Sequence, residues 1–177
     1  LTISHSIFRL ITEEFNIQLK DIKYFAGHSL GEYSALVSAK SLNFSDAVFL
    51  LHERGKSMQE AVPEGKGSML AVMGLKIQDI EKYIAEISKE KGVCEIANDN
   101  SESQVILSGD KSAIEEINKI LKINKKKSIF LPVSAPFHCS LMKSAAENMK
   151  SFLQNADFKY PNFQLVSNVT ALPVEKN

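Results

Sequence analysis

A chain of 177 residues is long enough for one ordinary domain, or a domain carrying a smaller insert, and for a substantial buried core. Its 21 basic and 21 acidic residues cancel, so no net field selects nucleic acid or an anionic membrane, and an anionic ligand must be held by a local cation. Two cysteines are too few for a disulfide framework, their separation suits no zinc site, and no apolar run can span a bilayer, which leads us to expect a soluble protein with reduced thiols.

Residues 2–15 place Ile3, Ile7, Leu10, Ile11 and Phe15 on one helical face without any N-cap before them, as if the sequence starts inside a helix. A strand over 22–26 leads through Gly27-His28-Ser29-Leu30-Gly31 into a helix reaching about Lys40, and Ser45-Asp46 is expected to cap a helix over 47–60. Strand alternating with helix is the pattern of a sheet covered by helices. Pro63-Glu64-Gly65-Lys66-Gly67 then breaks the chain. Beyond it the pattern predicts a strand over 69–75 and an amphipathic helix over 77–89 aligning Ile77, Ile80, Ile84 and Ile87. A strand over 93–97, a polar turn over 98–103 and a strand over 104–108 follow. Gly109-Asp110 opens a helix carrying Ile114, Ile117 and Leu121, and 128–133 is a last strand.

That β-α-β-β-α-β order is the ferredoxin-like unit and reads as an insert. Lys125-Lys126-Lys127, at the end of its second helix, reads as a solvated cluster that compensates the helix dipole. A helix over 141–155 and a buried strand over 163–167 resume the first domain. Val174-Glu175-Lys176-Asn177 follows without a closing helix. Because a parallel sheet needs both faces covered, we expect both ends to be cut from a longer protein.

A serine between two glycines, directly after a strand and before a helix, has the pattern of a nucleophile elbow. The glycines let the chain turn, and the helix offers free amides and a positive dipole end to a developing oxyanion. Ser29 also fits a plain turn residue or helix N-cap. A serine nucleophile needs a base, and four histidines are available. His28 is expected to pack behind the turn, and His5 and His52 to lie at the surface or core edge of helices. His138 differs: it ends Pro132-Val133-Ser134-Ala135-Pro136-Phe137-His138, a proline-stiffened loop just beyond a strand, where site residues gather in α/β folds. On pattern alone it can instead cap the next helix. Arg54, in Glu53-Arg54-Gly55, can hold a carboxylate by two parallel hydrogen bonds, with Gly55 allowing close approach; without context, an ordinary exposed arginine is the favoured reading. Cys139 reads as a packing residue.

Several blocks belong together: Gly27-His28-Ser29-Leu30-Gly31-Glu32-Tyr33-Ser34-Ala35; Arg54-Gly55-Lys56-Ser57-Met58-Gln59-Glu60-Ala61 with Gly67-Ser68-Met69; Asn98-Asp99-Asn100-Ser101 with Gln104-Val105-Ile106-Leu107-Ser108-Gly109; Pro136-Phe137-His138-Cys139-Ser140-Leu141-Met142; and Ser167-Asn168-Val169-Thr170-Ala171. In order and spacing they resemble the malonyl-CoA:acyl-carrier-protein transacylases of type II fatty acid synthesis, within the acyltransferase family of fatty acid and polyketide synthesis. The resemblance runs through nearly the whole chain.

It implies an α/β fold in which an α/β-hydrolase-like large subdomain, 1–62 and 134–177, carries a ferredoxin-like small subdomain, 63–133. By the same resemblance Ser29 is the nucleophile, His138 its general base and then general acid, and the Leu30 amide one oxyanion donor. Arg54 then pairs with the malonyl carboxylate. Met58, one helical turn after Arg54, and Asn98 are implied at the pocket, although packing or turn formation also accounts for both. Phe137, where methylmalonyl-selective members tend to carry serine, points to malonyl. Malonyl would pass from coenzyme A to Ser29 and on to the phosphopantetheine thiol of acyl carrier protein, without metal or other cofactor.

The implied partners are malonyl-CoA and acyl carrier protein, and the implied state a monomer in the cytoplasm or, in a eukaryote, an organellar stroma or matrix. Two family elements are not in the sequence: the glutamine of a G-Q-G-S block that supplies a second oxyanion donor, and the glutamine or asparagine whose carbonyl orients the histidine. Competing readings are an acyltransferase domain of a polyketide or multidomain fatty acid synthase, a serine thioesterase or esterase, a patatin-like lipase with an aspartate base, and a non-catalytic docking module for the carrier protein.

Overall fold

The computed structural model describes residues 1–15, 17–87 and 89–174. Ser88 of the expected helix over 77–89, and Glu175-Lys176-Asn177 of the expected end, lie outside the described residues. The chain divides into two units, Leu1–Glu53 with Ser151–Asn177, and Arg54–Lys150.

The first unit holds α1 (Thr2–Glu13), β1 (Tyr24–Ala26), α2 (Gly31–Ser38), residues 44–53 of α3 (Phe44–Ala61), residues 151–155 of α6 (Lys143–Asn155) and β6 (Gln164–Val166). β1 and β6 pair in parallel, with Phe25 opposite Leu165 and Ala26 opposite Val166. Phe25 and Leu165 form a core with Ala35 and Ala39 of the α2 segment, flanked by Phe8, Leu36 and Phe163. Phe25 sits 5.7 Å from the ring of Phe8, edge-on, and 5.7 Å from that of Phe163. From α1 it is therefore Phe8 that reaches this core. The stripe singled out from the sequence lies largely in solvent, with Ile3 at 77% and Phe15 at 69% exposed. Phe8 stands at the margin of that stripe, and a wide apolar stripe does not announce which of its edges packs.

The cap of α3 also differs from expectation. Asn43 Oδ1 accepts the Asp46 amide at 2.8 Å, so Asn43 rather than Ser45-Asp46 is the N-cap, and the helix begins at Phe44. Its length otherwise follows the pattern.

The second unit is built on β2 (Gly67–Met73), α4 (Ile77–Ala85), β3 (Cys94–Ser101), β4 (Gln104–Asp110), α5 (Lys111–Ile123) and β5 (Lys127–Phe130). The four strands form one antiparallel sheet in the order β3-β4-β2-β5. Residue alternation sends Leu70, Val72, Val105 and Leu107 to one face, where they meet Ile80 of α4 and Ile114, Ile117 and Leu121 of α5. Met69, Ala71 and Ile106 point to the other face, against Ala97, Leu131 and Phe137. Burying each large aliphatic side chain contributes roughly 1.5–3 kcal/mol. The central strands are thus covered on both sides.

The expected polar turn over 98–103 is mostly strand. Asn98 pairs with Ile106, Asp99 with Val105 and Ser101 with Gln104, with irregularities after Ile96 and Asp99 that absorb the extra residues. Only Glu102 and Ser103 turn the chain. A polar run reads as loop in the sequence, but Asn100 Nδ2 donates to Gln104 Oε1 at 2.9 Å, a side-chain bond bracing the end of the hairpin. Among the described residues no helix is long and apolar enough to cross a membrane.

Candidate active site

In the first unit the chain leaves β1 at Ala26 and enters a helix at Gly31, with only four residues in the tight turn between them. Gly27 is obligatory there, because a Cβ at this position would collide with the backbone of Gly31. Gly31 is not held to glycine by space: nothing lies within 4 Å of its Cβ position. Ser29 occupies the apex with φ of 53°, a left-handed conformation that costs a residue with a Cβ of order 1–3 kcal/mol. The turn closes through the Gly31 amide donating to His28 O at 2.8 Å and the Glu32 amide to Ser29 O at 3.1 Å. Leu30, the N-cap, places its amide at the positive end of α2 while its side chain is exposed. His28 is exposed rather than packed behind the turn.

Two residues with no assigned role in the sequence reading hold this elbow. Asn168 Oδ1 accepts the Ser29 amide at 2.8 Å, and the Asn168 amide donates to Glu32 Oε1 at 3.0 Å. Both bonds join the elbow to the turn after β6. Asn168 lies in Ser167-Asn168-Val169-Thr170-Ala171, but nothing local there announces a partner so distant in sequence.

In the second unit Phe137 and His138 share one loop, held at three points. Pro136 is fully buried and stacks over Gly67, where a Cβ would strike its ring. Ser134 Oγ donates to Gln59 Oε1 at 2.6 Å. Ser140 donates its amide to Glu95 Oε2 at 2.7 Å and its hydroxyl to Glu95 Oε1 at 2.8 Å. Between these anchors His138 is half-buried with φ of 62°, also left-handed. Phe137 packs on the second face of the sheet, a structural task beside the substrate role expected of it. Glu95 was missed; the signal available was a carboxylate in the otherwise apolar strand Val93-Cys94-Glu95-Ile96-Ala97, which needs a partner.

Arg54 and Met58 are half-buried and lie four residues apart, on one face of α3. Gly55 is exposed, and within its unit nothing lies within 4 Å of its Cβ position. Asn98 lies in β3 at the first irregularity. The Cys139 thiol donates to Pro136 O at 3.1 Å, and burial pushes its pKa up; burial pushes the Cys94 thiol up to about 12. Neither thiol is a ready nucleophile at neutral pH. Of the other histidines, His52 is exposed, while His5 stacks on Phe44 at 4.9 Å with its pKa lowered by burial and then by Lys40 and Arg9.

A serine in left-handed geometry between a strand end and a helix start, in an α/β fold, has the backbone shape of the elbow on which α/β proteins with a serine nucleophile are built. The chain belongs to the acyl transferase domain family, whose model matches residues 21–176. It is 42% identical over 149 residues to the malonyl CoA-acyl carrier protein transacylase of Bacillus subtilis strain 168, covering 84% of this chain and 47% of that protein. To the protein of the same name from Haemophilus influenzae it is 43% identical over 170 residues, covering 96% and 54%. The chain thus spans about half the length of these curated relatives. Among solved structures, FabD from Acinetobacter baumannii superposes with a TM-score of 0.92 at 40% identity, over 99% of this chain and 55% of that one. A malonyl-transacylase solved in complex with its type II polyketide acyl-carrier protein superposes with a TM-score of 0.90 at 39% identity, over 98% and 55%.

Proposed function

We propose that this chain forms part of an enzyme that transfers malonyl from coenzyme A to the phosphopantetheine thiol of acyl carrier protein through a malonyl-serine intermediate. The observation that carries the reading is the left-handed Ser29 at a glycine-tight elbow, in a chain of the acyl transferase family. The names of its relatives supply the acyl group and the acceptor.

In this reading His138 takes the Ser29 proton as the hydroxyl attacks the thioester carbonyl. The negative charge that forms on the carbonyl oxygen is met by the Leu30 amide at the start of α2, where the helix dipole favours it. Coenzyme A then leaves as a thiol, with His138 returning the proton. The second half-reaction reverses the roles, with the carrier thiol attacking malonyl-Ser29. Arg54 pairs with the malonyl carboxylate and disfavours acetyl, because acetyl would leave a desolvated guanidinium without its partner. Met58, Asn98 and Phe137 complete the acyl pocket.

The same reading assigns 63–133 to a ferredoxin-like small subdomain and 1–62 with 134–177 to an α/β-hydrolase-like large one. It also takes the enzyme as a cytoplasmic monomer, the simplest state for a protein that meets a diffusing carrier. Incubating the intact protein with malonyl-CoA and holo acyl carrier protein tests the function: malonyl should appear on the carrier thiol, and Ser29→Ala should abolish it. Release of free malonate, with none on the carrier, would instead identify a thioesterase.

A further inference from the structure

Ser29 holds a left-handed backbone, and a side chain from 139 residues away reaches its amide. Asn168 Oδ1 accepts that amide at 2.8 Å. Asn168 is itself tethered, since its own amide donates to Glu32 Oε1 at 3.0 Å, and Glu32 stands in the first turn of the helix that leaves the elbow. The two bonds close a loop from elbow to Asn168 and back to α2.

The topology makes this bridge rigid. β6 runs parallel to β1 with Ala26 opposite Val166, so the elbow and the turn bearing Asn168 leave the same end of the same strand pair. That turn is closed by its own bonds: the Ala171 amide donates to Ser167 O and the Ser167 amide to Leu172 O, each at 2.9 Å, and Val166 bridges Pro173. An acceptor fixed in this way pins the His28–Ser29 peptide plane, while the Glu32 amide donating to Ser29 O at 3.1 Å pins the plane that follows, and with both planes held, rotation about the Ser29 N–Cα bond between them is restrained. That one rotation would swing both the Ser29 hydroxyl and the peptide leading to the Leu30 amide.

We propose that Asn168, tethered by Glu32, is a positioning residue for the nucleophile, holding Ser29 in the left-handed conformation that sets its hydroxyl and the Leu30 amide together. The role rests on Ser29 being the acyl-accepting nucleophile. Asn168 touches no reacting atom; its effect passes through the Ser29 backbone, so it should change the rate of acylation more than the binding of malonyl-CoA.

The test is single-turnover acylation of the intact protein by malonyl-CoA. Asn168→Ala is expected to slow acylation by about 10- to 100-fold, the range for a small misplacement of reacting groups. The malonyl-CoA concentration giving half-maximal rate should move by less than about twofold. Glu32→Ala should slow acylation in the same sense, and Glu32→Gln, which keeps an oxygen acceptor for the Asn168 amide, should recover most of the loss. The double alanine variant should be no slower than Asn168→Ala alone, because the two residues act as one unit. The Glu32 pair leaves the Asn168 side chain in place and carries the test if Asn168→Ala does not fold. Wild-type acylation by Asn168→Ala, additive losses in the double variant, or no recovery in Glu32→Gln would each overturn the role. Ser29→Ala separates the two levels: if it acylates normally the function itself falls, whereas its loss beside a wild-type Asn168→Ala removes only the positioning.

Discussion

Ser29 and His138 differ in chemistry but share a backbone state, with φ of 53° and 62°. Residues with a Cβ hold that state only where their surroundings over-determine it. For His138 the surroundings include Pro136 against Gly67, Ser134 on Gln59, and Glu95, whose two oxygens take both donors of Ser140. Glu95→Ala should lower the transfer rate by about tenfold or more through loss of placement, while Glu95→Gln, keeping one acceptor, should fall in between; steady-state kinetics beside a thermal melt check this. Arg54→Ala should reduce the ratio of kcat/KM for malonyl-CoA over acetyl-CoA by about 100-fold or more, and an unchanged ratio would remove Arg54 from that role. His5 offers a pH test. Its pKa lies below the ordinary 6.5, so the unfolded chain binds the proton more readily, and the stability it contributes is lost as pH falls through 6.5 toward the lower folded value. Replacing His5 with phenylalanine should flatten that part of a stability–pH curve. Ser29 and His138 stand out in the sequence because each sits in a pattern of a few consecutive residues, and both hold the left-handed backbone there. Asn168 and Glu95 do not stand out, because their partners lie 139 and 45 residues away and only the fold brings them together.

Among the elements, the helices of the second unit were the most legible. Ile80 of α4, and Ile114, Ile117 and Leu121 of α5, recur at helical spacing and are all fully buried. Ile117→Ala should therefore cost about 2–5 kcal/mol in urea unfolding, whereas Ile123→Ala, at 79% exposure, should cost little. The first unit was harder to read. In α1 the apolar residues span more than one packing direction, and Phe8, at the margin, is the one that meets Phe25. The start of α3 was misplaced because Asn43, Ser45 and Asp46 are all good capping residues, and the choice is made by which oxygen reaches a free amide. The first half of β3 reads as strand in the sequence, but its polar second half, residues 98–101, reads as turn because pairing with β4, rather than its own hydrophobicity, makes it a strand.

At the scale of the whole molecule, membership of the acyl transferase family rests on agreement along almost the entire chain, while the chain spans about half the length of its curated relatives. The account predicts a serine ester, not a thioester, as the enzyme-bound intermediate, since burial holds both thiols above the ordinary cysteine range. The most direct measurement is peptide mapping by mass spectrometry of the intact protein quenched after mixing with malonyl-CoA, with and without neutral hydroxylamine, which cleaves thioesters faster than serine esters. The account predicts a malonyl increment on the peptide containing Ser29 that survives hydroxylamine. A labile increment on the peptide containing Cys139, or no increment on any peptide, would contradict it.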